Sequence, residues 1–314
     1  MICQKYADLK PYSYYRTGGR CEFLYLPESI KDVCQALKDI YSMKLPYFIL
    51  GGGSNSLVSD EFFFGAVISL HHMQAIEPQA NHRLYAEAGA ENSAVVQRAL
   101  QLGWEGISWM YRLPGQIGGT VRMNARCYGG EISAYVDKVW AVTPEGELCI
   151  HSKPQPMFTG YKDTIFMRNR HLIAAVEIQL KPGSTECILE KMNFCEQDRV
   201  NKGQFLHPSC GCVFKNDYSV GIPSGKLLES AGAKTLSTKN LAINPHHANF
   251  LFNKTGQASS QEILDMSFEM QELVYQNCGV WLEYEMEVLG TLDAARQRRL
   301  IEKRPRIERI PNKP

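Results

Sequence analysis

Two glycine-rich stretches carry the residues best suited to hold a charged ligand. The first is Phe48-Ile49-Leu50-Gly51-Gly52-Gly53-Ser54-Asn55-Ser56-Leu57, an apolar run that breaks into three glycines and then small polar residues. The second is Leu113-Pro114-Gly115-Gln116-Ile117-Gly118-Gly119-Thr120. Glycine lets the backbone turn sharply and approach a ligand with no side chain between. Consecutive exposed amides in such a loop form a nest for oxyanions, most often phosphates. The pattern predicts two phosphate-cradling loops around one long cofactor, with a separate part of the chain to bring the substrate. An ordinary tight turn uses the same glycines, so each loop alone leaves both readings open.

The ten cysteines are scattered along a chain of 314 residues. Reduced thiols in a cytoplasm are expected rather than a disulfide framework. Cys210-Gly211-Cys212 is the one close pair, with His207, His246 and His247 as further donors. The spacing is not the C-x-x-C of zinc knuckles, and no metal is expected there. A formal charge of +1 argues against an electrostatic nucleic-acid binder. No apolar run is long enough to span a bilayer, and the opening residues lack the basic-then-apolar order of a signal peptide.

The elements that must position these loops follow from pattern. Cys21 to Leu26 reads as a strand, followed by a helix that Ser29 and Asp32 would cap as a box, with Ile30, Val33, Leu37 and Ile40 on one face. Tyr47 to Leu50 and Val67 to Leu70 read as strands, giving an α/β order. Further on come a strand Leu84 to Ala88, a helix Glu91 to Leu102, a hairpin around Pro144-Glu145-Gly146 and a strand Leu172 to Leu180. Thr185 to Lys202 and Ser224 to Ser230 are helical. Ser259 and Glu262 cap a long helix to about Cys278. Val280 to Leu289 alternates as a strand, with Leu282, Tyr284, Met286 and Val288 on one face and Glu283, Glu285 and Glu287 on the other. Past Gly290, Arg296, Arg298, Arg299, Lys303, Arg304, Arg306 and Arg309 make a basic tail, broken by Pro305 and Pro311. It reads as a solvated extension.

In order and spacing, several motifs are similar to those of the UDP-N-acetylenolpyruvoylglucosamine reductase (MurB) family, in its shorter type. They are Arg16-Thr17-Gly18-Gly19, Gly51 to Asn55, Pro114-Gly115 with Gly118-Gly119, Met123-Asn124-Ala125, Tyr128-Gly129-Gly130-Glu131, Tyr161 to Phe166, Pro208 to Asn216, His247-Ala248-Asn249-Phe250 and Leu282-Glu283-Tyr284-Glu285. The resemblance runs from about Tyr14 to Gly290. It implies an α/β plus α+β fold, a two-part FAD-binding domain of the PCMH type followed by a smaller C-terminal substrate-binding domain. The implied division is 1–68 and 69–204 for the two FAD-binding parts, 205–290 for the substrate domain and 291–314 for the extension.

The same resemblance implies an NADPH-dependent flavin oxidoreductase of peptidoglycan synthesis, cytoplasmic and monomeric, with FAD as cofactor and UDP-N-acetylglucosamine enolpyruvate as substrate. Neither nucleic acid nor membrane is an expected partner. FAD is assigned to Gly51, Gly52, Gly53, Ser54, Asn55, Ser56, Pro114, Gly115, Ile117, Gly118, Gly119, Asn124 and Ala125. Tyr161, Lys215 and Asn216 match substrate-binding positions. Lys162, Cys212 and Glu285 match the catalytic ones. The family has arginine where Lys162 stands and usually serine where Cys212 stands. The rival expectation is a non-catalytic relative that binds flavin or a UDP-sugar as a sensor or structural partner.

Overall fold

The structure, a computed structural model, describes residues 1–307. Arg309 and Pro311 of the basic tail lie outside the described residues. The chain forms two compact units. Unit 1 comprises Met1–Ala7, Cys21–Gly52 and Phe64–Arg199; unit 2 comprises Asp8–Arg20, Gly53–Phe63 and the chain from Val200 onward. Where the sequence suggests contiguous blocks, the compact units are threaded through one another along the chain.

Unit 1 holds two sheets. In the first, β1 (Ile2–Asp8), β2 (Arg20–Leu26), β3 (Tyr47–Ile49) and β4 (Phe63–Ile68) are ordered β1-β2-β4-β3. The β3–β4 pair is parallel, with Phe48 opposite Val67. Helix α1 (Ile30–Ser42) joins β2 to β3 and buries Val33, Ala36, Leu37 and Ile40. Its cap is only half a box. Ser29 accepts from the Asp32 amide at 3.2 Å, but the Asp32 carboxylate takes the Glu28 amide at 3.0 Å rather than that of Ser29.

The second sheet contains β5 (Ile76–Gln79), β6 (Arg83–Glu87), β7 (Val136–Val142), β8 (Leu148–Ser152) and β9 (Leu172–Gln179) in the order β8-β7-β9-β6-β5. Every pair in it is antiparallel. Central β9 is buried on both faces from Leu172 to Ile178, as a near-continuous apolar run requires. Its one acid, Glu177, is 7% exposed and is met by Lys138 at 2.9 Å and Arg83 at 3.7 Å. A buried carboxylate needs such partners. Helices α2 (Asn92–Gln101), α3 (Ile117–Arg122) and α4 (Thr185–Asn201) complete the unit.

Unit 2 has its own core, in which Phe214, Leu228, Leu241, Leu251, Leu264, Met270 and Val274 are buried. Helix α5 (Ser224–Ser230) and helix α6 (Ser260–Cys278) frame it. Helix α6 starts with a complete capping box between Ser259 and Glu262 and ends at Gly279 in the left-handed region. The expected strand Val280 to Leu289 is shorter than its alternation suggests. Only Glu287–Leu289 is a strand, pairing in parallel with Ser56–Val58. The amides of Glu285 and Met286 both reach the Val213 carbonyl, at 2.9 and 3.2 Å. Two donors on one acceptor make a bulge, which ends regular pairing and re-aims the side chains beside it.

The tail departs further from expectation. Helix α7 (Ala294–Ile301) and the residues after it clasp unit 2. Two guanidinium groups stack on Trp281, Arg299 at 4.9 Å and Arg304 at 4.3 Å from the ring centroid. Its ring nitrogen donates to the Glu302 carbonyl at 2.8 Å. Glu272 accepts from both arginines at 2.7 and 3.0 Å, and so does Glu302 at 2.5 and 2.7 Å. The Ile307 amide closes back onto Gly279 O at 2.9 Å. Arg298, Lys303 and Arg306 are exposed, as a solvated tail would have them. Arg296, Arg299 and Arg304 are not: stacking on aromatic faces and forked pairing to carboxylates outweigh hydration for a guanidinium.

Replacing Arg304 by alanine should destabilise the protein by about 1–2 kcal/mol, since it removes a stacked cation and a partly exposed ion-pair network. Chemical denaturation of the full chain measures this. Hydrogen bonds from Arg304 and Arg299 hold the Glu302 carboxyl below its ordinary 4.5. At Glu272 burial pushes upward, but the bonds from the same arginines outweigh it and the value is also lowered. A lowered folded pKa gives stability that is complete above the unfolded value and fades as pH falls through the folded one. The stability gap between the full chain and a truncation after Leu292 should therefore be full at pH 7 and shrink below pH 4.5.

Candidate active site

In unit 1 the two glycine loops meet backbone to backbone. A Cβ placed on Gly52 would stand 3.0 Å from Gly115 Cα and 3.5 Å from the Gln116 amide nitrogen. At Gly118 it would stand 2.7 Å from Ala88 Cβ and 3.0 Å from Ala88 O. No side chain fits at Gly118 without moving main chain, so these glycines are packing requirements as well as candidates for ligand contact. Gly119, its neighbour, faces open space, with nothing within 4 Å of a Cβ.

Asn92 holds the second loop in place, and sequence reasoning missed it. It is fully buried. Its amide donates to Gly115 O at 3.1 Å, its side-chain nitrogen to Leu113 O at 3.3 Å, and its side-chain oxygen accepts from Thr120 Oγ1 at 2.8 Å. The amides of Ile117 and Gly118 donate to Ala90 O and Ala88 O, both at 2.9 Å. Nothing in its local sequence separates this buried asparagine from an exposed one at a helix start.

Beyond α3, Asn124 sits in the left-handed region at φ 43° and is 2% exposed. Its side-chain nitrogen donates to Glu131 Oε1 and to Gly160 O, both at 3.0 Å. Its side-chain oxygen is buried and has no partner among the described residues. Ala125 donates to Thr120 O at 2.9 Å and accepts from the Ile132 amide at 3.1 Å. Asn124, Glu131 and Ser133, with the segment 153–160, line a cavity of about 530 Å³. Tyr161 and Lys162 form the turn between strands Phe158–Gly160 and Asp163–Thr164, with Lys162 at φ 53°.

The charge of Lys162 reaches the Cys127 thiol, whose pKa burial raises and whose cationic neighbours Arg199 and Lys162 draw back. Arg199 is 4% exposed and donates to Cys127 Sγ at 3.3 Å. This buried arginine was also missed, since nothing in its helical context distinguishes it from a surface cation. Arg112 pairs with Glu196 at 3.2 Å and Arg126 approaches Glu131 at 4.0 Å.

Unit 2 brings Cys212 and Glu285 onto neighbouring segments. Cys212 bridges to Phe250. The next residue, Val213, donates to Asn249 O at 2.9 Å and accepts from the Glu285 amide at 2.9 Å. Asn55 holds the other side of Glu285, donating from its side chain to Glu285 O at 3.0 Å. Asn249 is the brace of this arrangement. Its side chain accepts from the Phe214 amide at 3.0 Å and donates to the Phe214 carbonyl at 2.8 Å, both buried.

Lys215 donates its amide to Glu283 O at 2.8 Å and its ammonium to Glu283 Oε1 at 2.7 Å. Asn216 accepts from the Ser224 amide at 2.9 Å and so caps α5. Cys210 is structural. Its thiol donates to Ser56 O at 2.9 Å, and burial raises its pKa. Gly211, at φ 75°, turns the chain between the two cysteines, so Cys212 is half-buried where Cys210 is not. Unit 1 therefore carries Gly51, Gly52, Pro114, Gly115, Ile117, Gly118, Gly119, Asn124, Ala125, Tyr161 and Lys162. Unit 2 carries Gly53, Ser54, Asn55, Ser56, Cys212, Lys215, Asn216 and Glu285.

A mixed sheet-and-helix unit with two apposed glycine loops suits a phosphate-bearing dinucleotide, and the unpartnered buried Asn124 Oδ1 suits a hydroxyl or N–H donor of such a ligand. Residues 22–151 match the FAD binding domain family, and the chain is an FAD-binding oxidoreductase. Residues 202–289 match the UDP-N-acetylenolpyruvoylglucosamine reductase C-terminal domain. The reductase of that name from Borrelia garinii is 34% identical over 285 residues, covering 90% of this chain and 92% of the relative. That from Carboxydothermus hydrogenoformans is 33% identical over 282 residues, with the same coverage. The crystal structure of the Thermus caldophilus reductase superposes with a TM-score of 0.77 at 29% identity, covering 92% of this chain and 99% of that one. The chain belongs to the UDP-N-acetylenolpyruvoylglucosamine reductase family. No helix among the described residues is long and apolar enough to cross a membrane.

Two substitutions separate scaffold from ligand contact. Gly119→Ala meets no protein atom and should leave thermal stability unchanged or slightly raised, yet weaken FAD retention at least about tenfold if flavin packs there. Gly118→Ala should lower stability and FAD retention together. Asn249→Ala leaves two buried backbone groups of Phe214 unpaired and should cost about 2–4 kcal/mol, read from denaturant unfolding.

Proposed function

We propose that this chain reduces UDP-N-acetylglucosamine enolpyruvate to UDP-N-acetylmuramate with NADPH as the electron source, in cytoplasmic peptidoglycan synthesis and as a monomer. The observation that carries this reading is an FAD binding domain joined to the C-terminal domain of one reductase family, in a chain whose reductase relatives align over 90% of its length. Bound FAD would supply the two-electron step between the nicotinamide and the enolpyruvyl double bond.

The loops at Gly51 to Ser56 and Pro114 to Gly119 hold the cofactor through main-chain groups, with Asn124 and Ala125 beside them. Reduction at the terminal carbon of the enolpyruvyl group pushes negative charge onto the carboxylate and the carbon next to it. A fixed cation or donor beside that charge commonly contributes about a hundred- to a thousand-fold in rate. Lys162 is assigned that task, with Glu285 completing the site. A lysine keeps the charge of arginine and gives up the planar fork that grips a carboxylate with two parallel bonds.

Cys212 delivers the proton to the carbon next to the carboxylate. A thiol with a reference pKa of about 8.5 is a better acid than an alcohol and is mostly protonated at neutral pH. After the transfer, the thiolate recovers its proton from solvent. The price of this choice is exposure to alkylation and oxidation. Tyr161, Lys215 and Asn216 position the nucleotide sugar.

Cys212→Ser should remain active and Cys212→Ala should lose most of its turnover. Equal rates for wild type and Cys212→Ala remove this residue from the chemistry. Lys162→Met should retain FAD and lose about a hundredfold or more in kcat; normal turnover removes the charge assignment. An anaerobic spectrum tests the whole reading. NADPH should bleach the flavin band, and UDP-N-acetylglucosamine enolpyruvate should restore it. Bleaching without restoration points to another acceptor, and a chain that takes up no FAD points to a non-catalytic relative.

A further inference from the structure

Three metal-ligating side chains, none of them assigned a role above, meet at the edge of the second sheet of unit 1. Cys149 and His151 are two residues apart on edge strand β8, so strand periodicity puts them on one face. Leu148 and Ile150 take the exposed face, at 48% and 54% exposure. His171 immediately precedes β9, whose first residue, Leu172, pairs with Val142 at the end of β7. Cys149 Sγ lies 3.5 Å from His151 Nε2 and 3.5 Å from His171 Nδ1. All three ligand atoms lie within 4.8 Å of one another. Among the described residues no other group of three or more His, Cys, Asp or Glu side chains converges in this way, and the set Cys210, Cys212, His207, His246 and His247 does not.

The distances suit a particular coordination. A tetrahedral ion with Zn–S about 2.3 Å and Zn–N about 2.0–2.1 Å holds sulfur and nitrogen about 3.5 Å apart. Thiolate and imidazole donors select zinc-class transition ions over magnesium or calcium, which take oxygen. The site is half-buried, so an ion can enter while the ligands stay ordered. The His151 ring is held edge-on by Phe166, at 5.3 Å between centroids and 87°. The His171 amide donates to Asn169 Oδ1 at 3.0 Å, fixing the turn before β9. Without an ion, the sulfur has one proton to offer and also lies 3.3 Å from Ala141 O. Both rings must then turn an N–H toward the sulfur. With an ion, one thiolate and two ring lone pairs serve a single centre.

We propose that Cys149, His151 and His171 bind one zinc ion, with water in the fourth position, and so tie edge strand β8 to the head of central strand β9. Binding releases the thiol proton to solvent and involves no change of oxidation state.

The test uses the full chain loaded with FAD, stripped with a chelator and titrated with Zn²⁺ against a chromophoric competitor. One zinc per chain is expected. Cys149→Ser and His171→Ala should each weaken binding by about a hundredfold or more, since even partners that only orient ligands commonly cost 10–100-fold. His207→Ala should leave binding unchanged. Titration with Co²⁺ should give intense d–d bands at the red end of the spectrum, clear of flavin absorption and lost in Cys149→Ser. Should a variant fail to fold, the wild-type zinc stoichiometry and cobalt spectrum decide alone. No stoichiometric zinc in the wild type, an octahedral cobalt spectrum, or zinc retained in both variants overturns the site. The FAD content of the same preparation is read separately, so absent zinc with normal flavin leaves the reductase reading standing.

Discussion

The contact between main chain and main chain at the two glycine loops constrains everything else in unit 1. Gly118 against Ala88 leaves no room for a β-carbon, and Gly52 against Gly115 leaves only a tight fit for one. That contact fixes where β3 ends, where α3 begins and how α3 leans on the second sheet. Asn92 then becomes necessary, because a loop pressed this closely has carbonyls that neither helix nor sheet can satisfy. The cradle is thus a consequence of packing before it is a ligand site.

Unit 2 achieves its precision differently. Cys212 and Glu285 stand beside a bulge at which one carbonyl, that of Val213, serves two amides. Such a site needs bracing, and two asparagines supply it from opposite sides, Asn249 at Phe214 and Asn55 at Glu285. Both use their amide groups as substitutes for missing strand neighbours. Cys212 and Glu285, the proton donor and acid of the proposed reaction, therefore rest on irregular backbone braced by side-chain amides.

Much of the fold was legible because local rules agreed with tertiary demands. Ser259 and Glu262 cap α6 as their spacing says, and the apolar run Leu172 to Ile178 is a central strand. Failures occurred where distant partners decide. Asp32 has the capping-box spacing, but its carboxylate bonds the Glu28 amide instead. Val280 to Leu289 alternates, but the bulge at Glu285 and Met286 spends those amides elsewhere. The tail arginines look like solvated charges because Trp281, Tyr275 and Glu272 lie outside any local window. At the site, the glycine loops and the motif positions were readable as types and spacings. Asn92 and Arg199 were not, since burial of a lone polar residue has no local signature. Cys149, His151 and His171 escaped because twenty positions of sequence, and in the sheet the one strand β7, separate His171 from His151.

The threading of the chain through its two units bears on how the molecule comes into being. The Asn55 side chain meets Glu285 across 230 residues of sequence, and Asn253 meets Tyr15 across 238. Contacts at such separation raise contact order and slow folding. On the ribosome, unit 1 has all of its segments once Arg199 has emerged, whereas Asp8–Arg20 and Gly53–Phe63 must wait for partners made last. These two early segments are the natural clients of a chaperone, and the nascent chain is most vulnerable to aggregation and proteolysis in that interval.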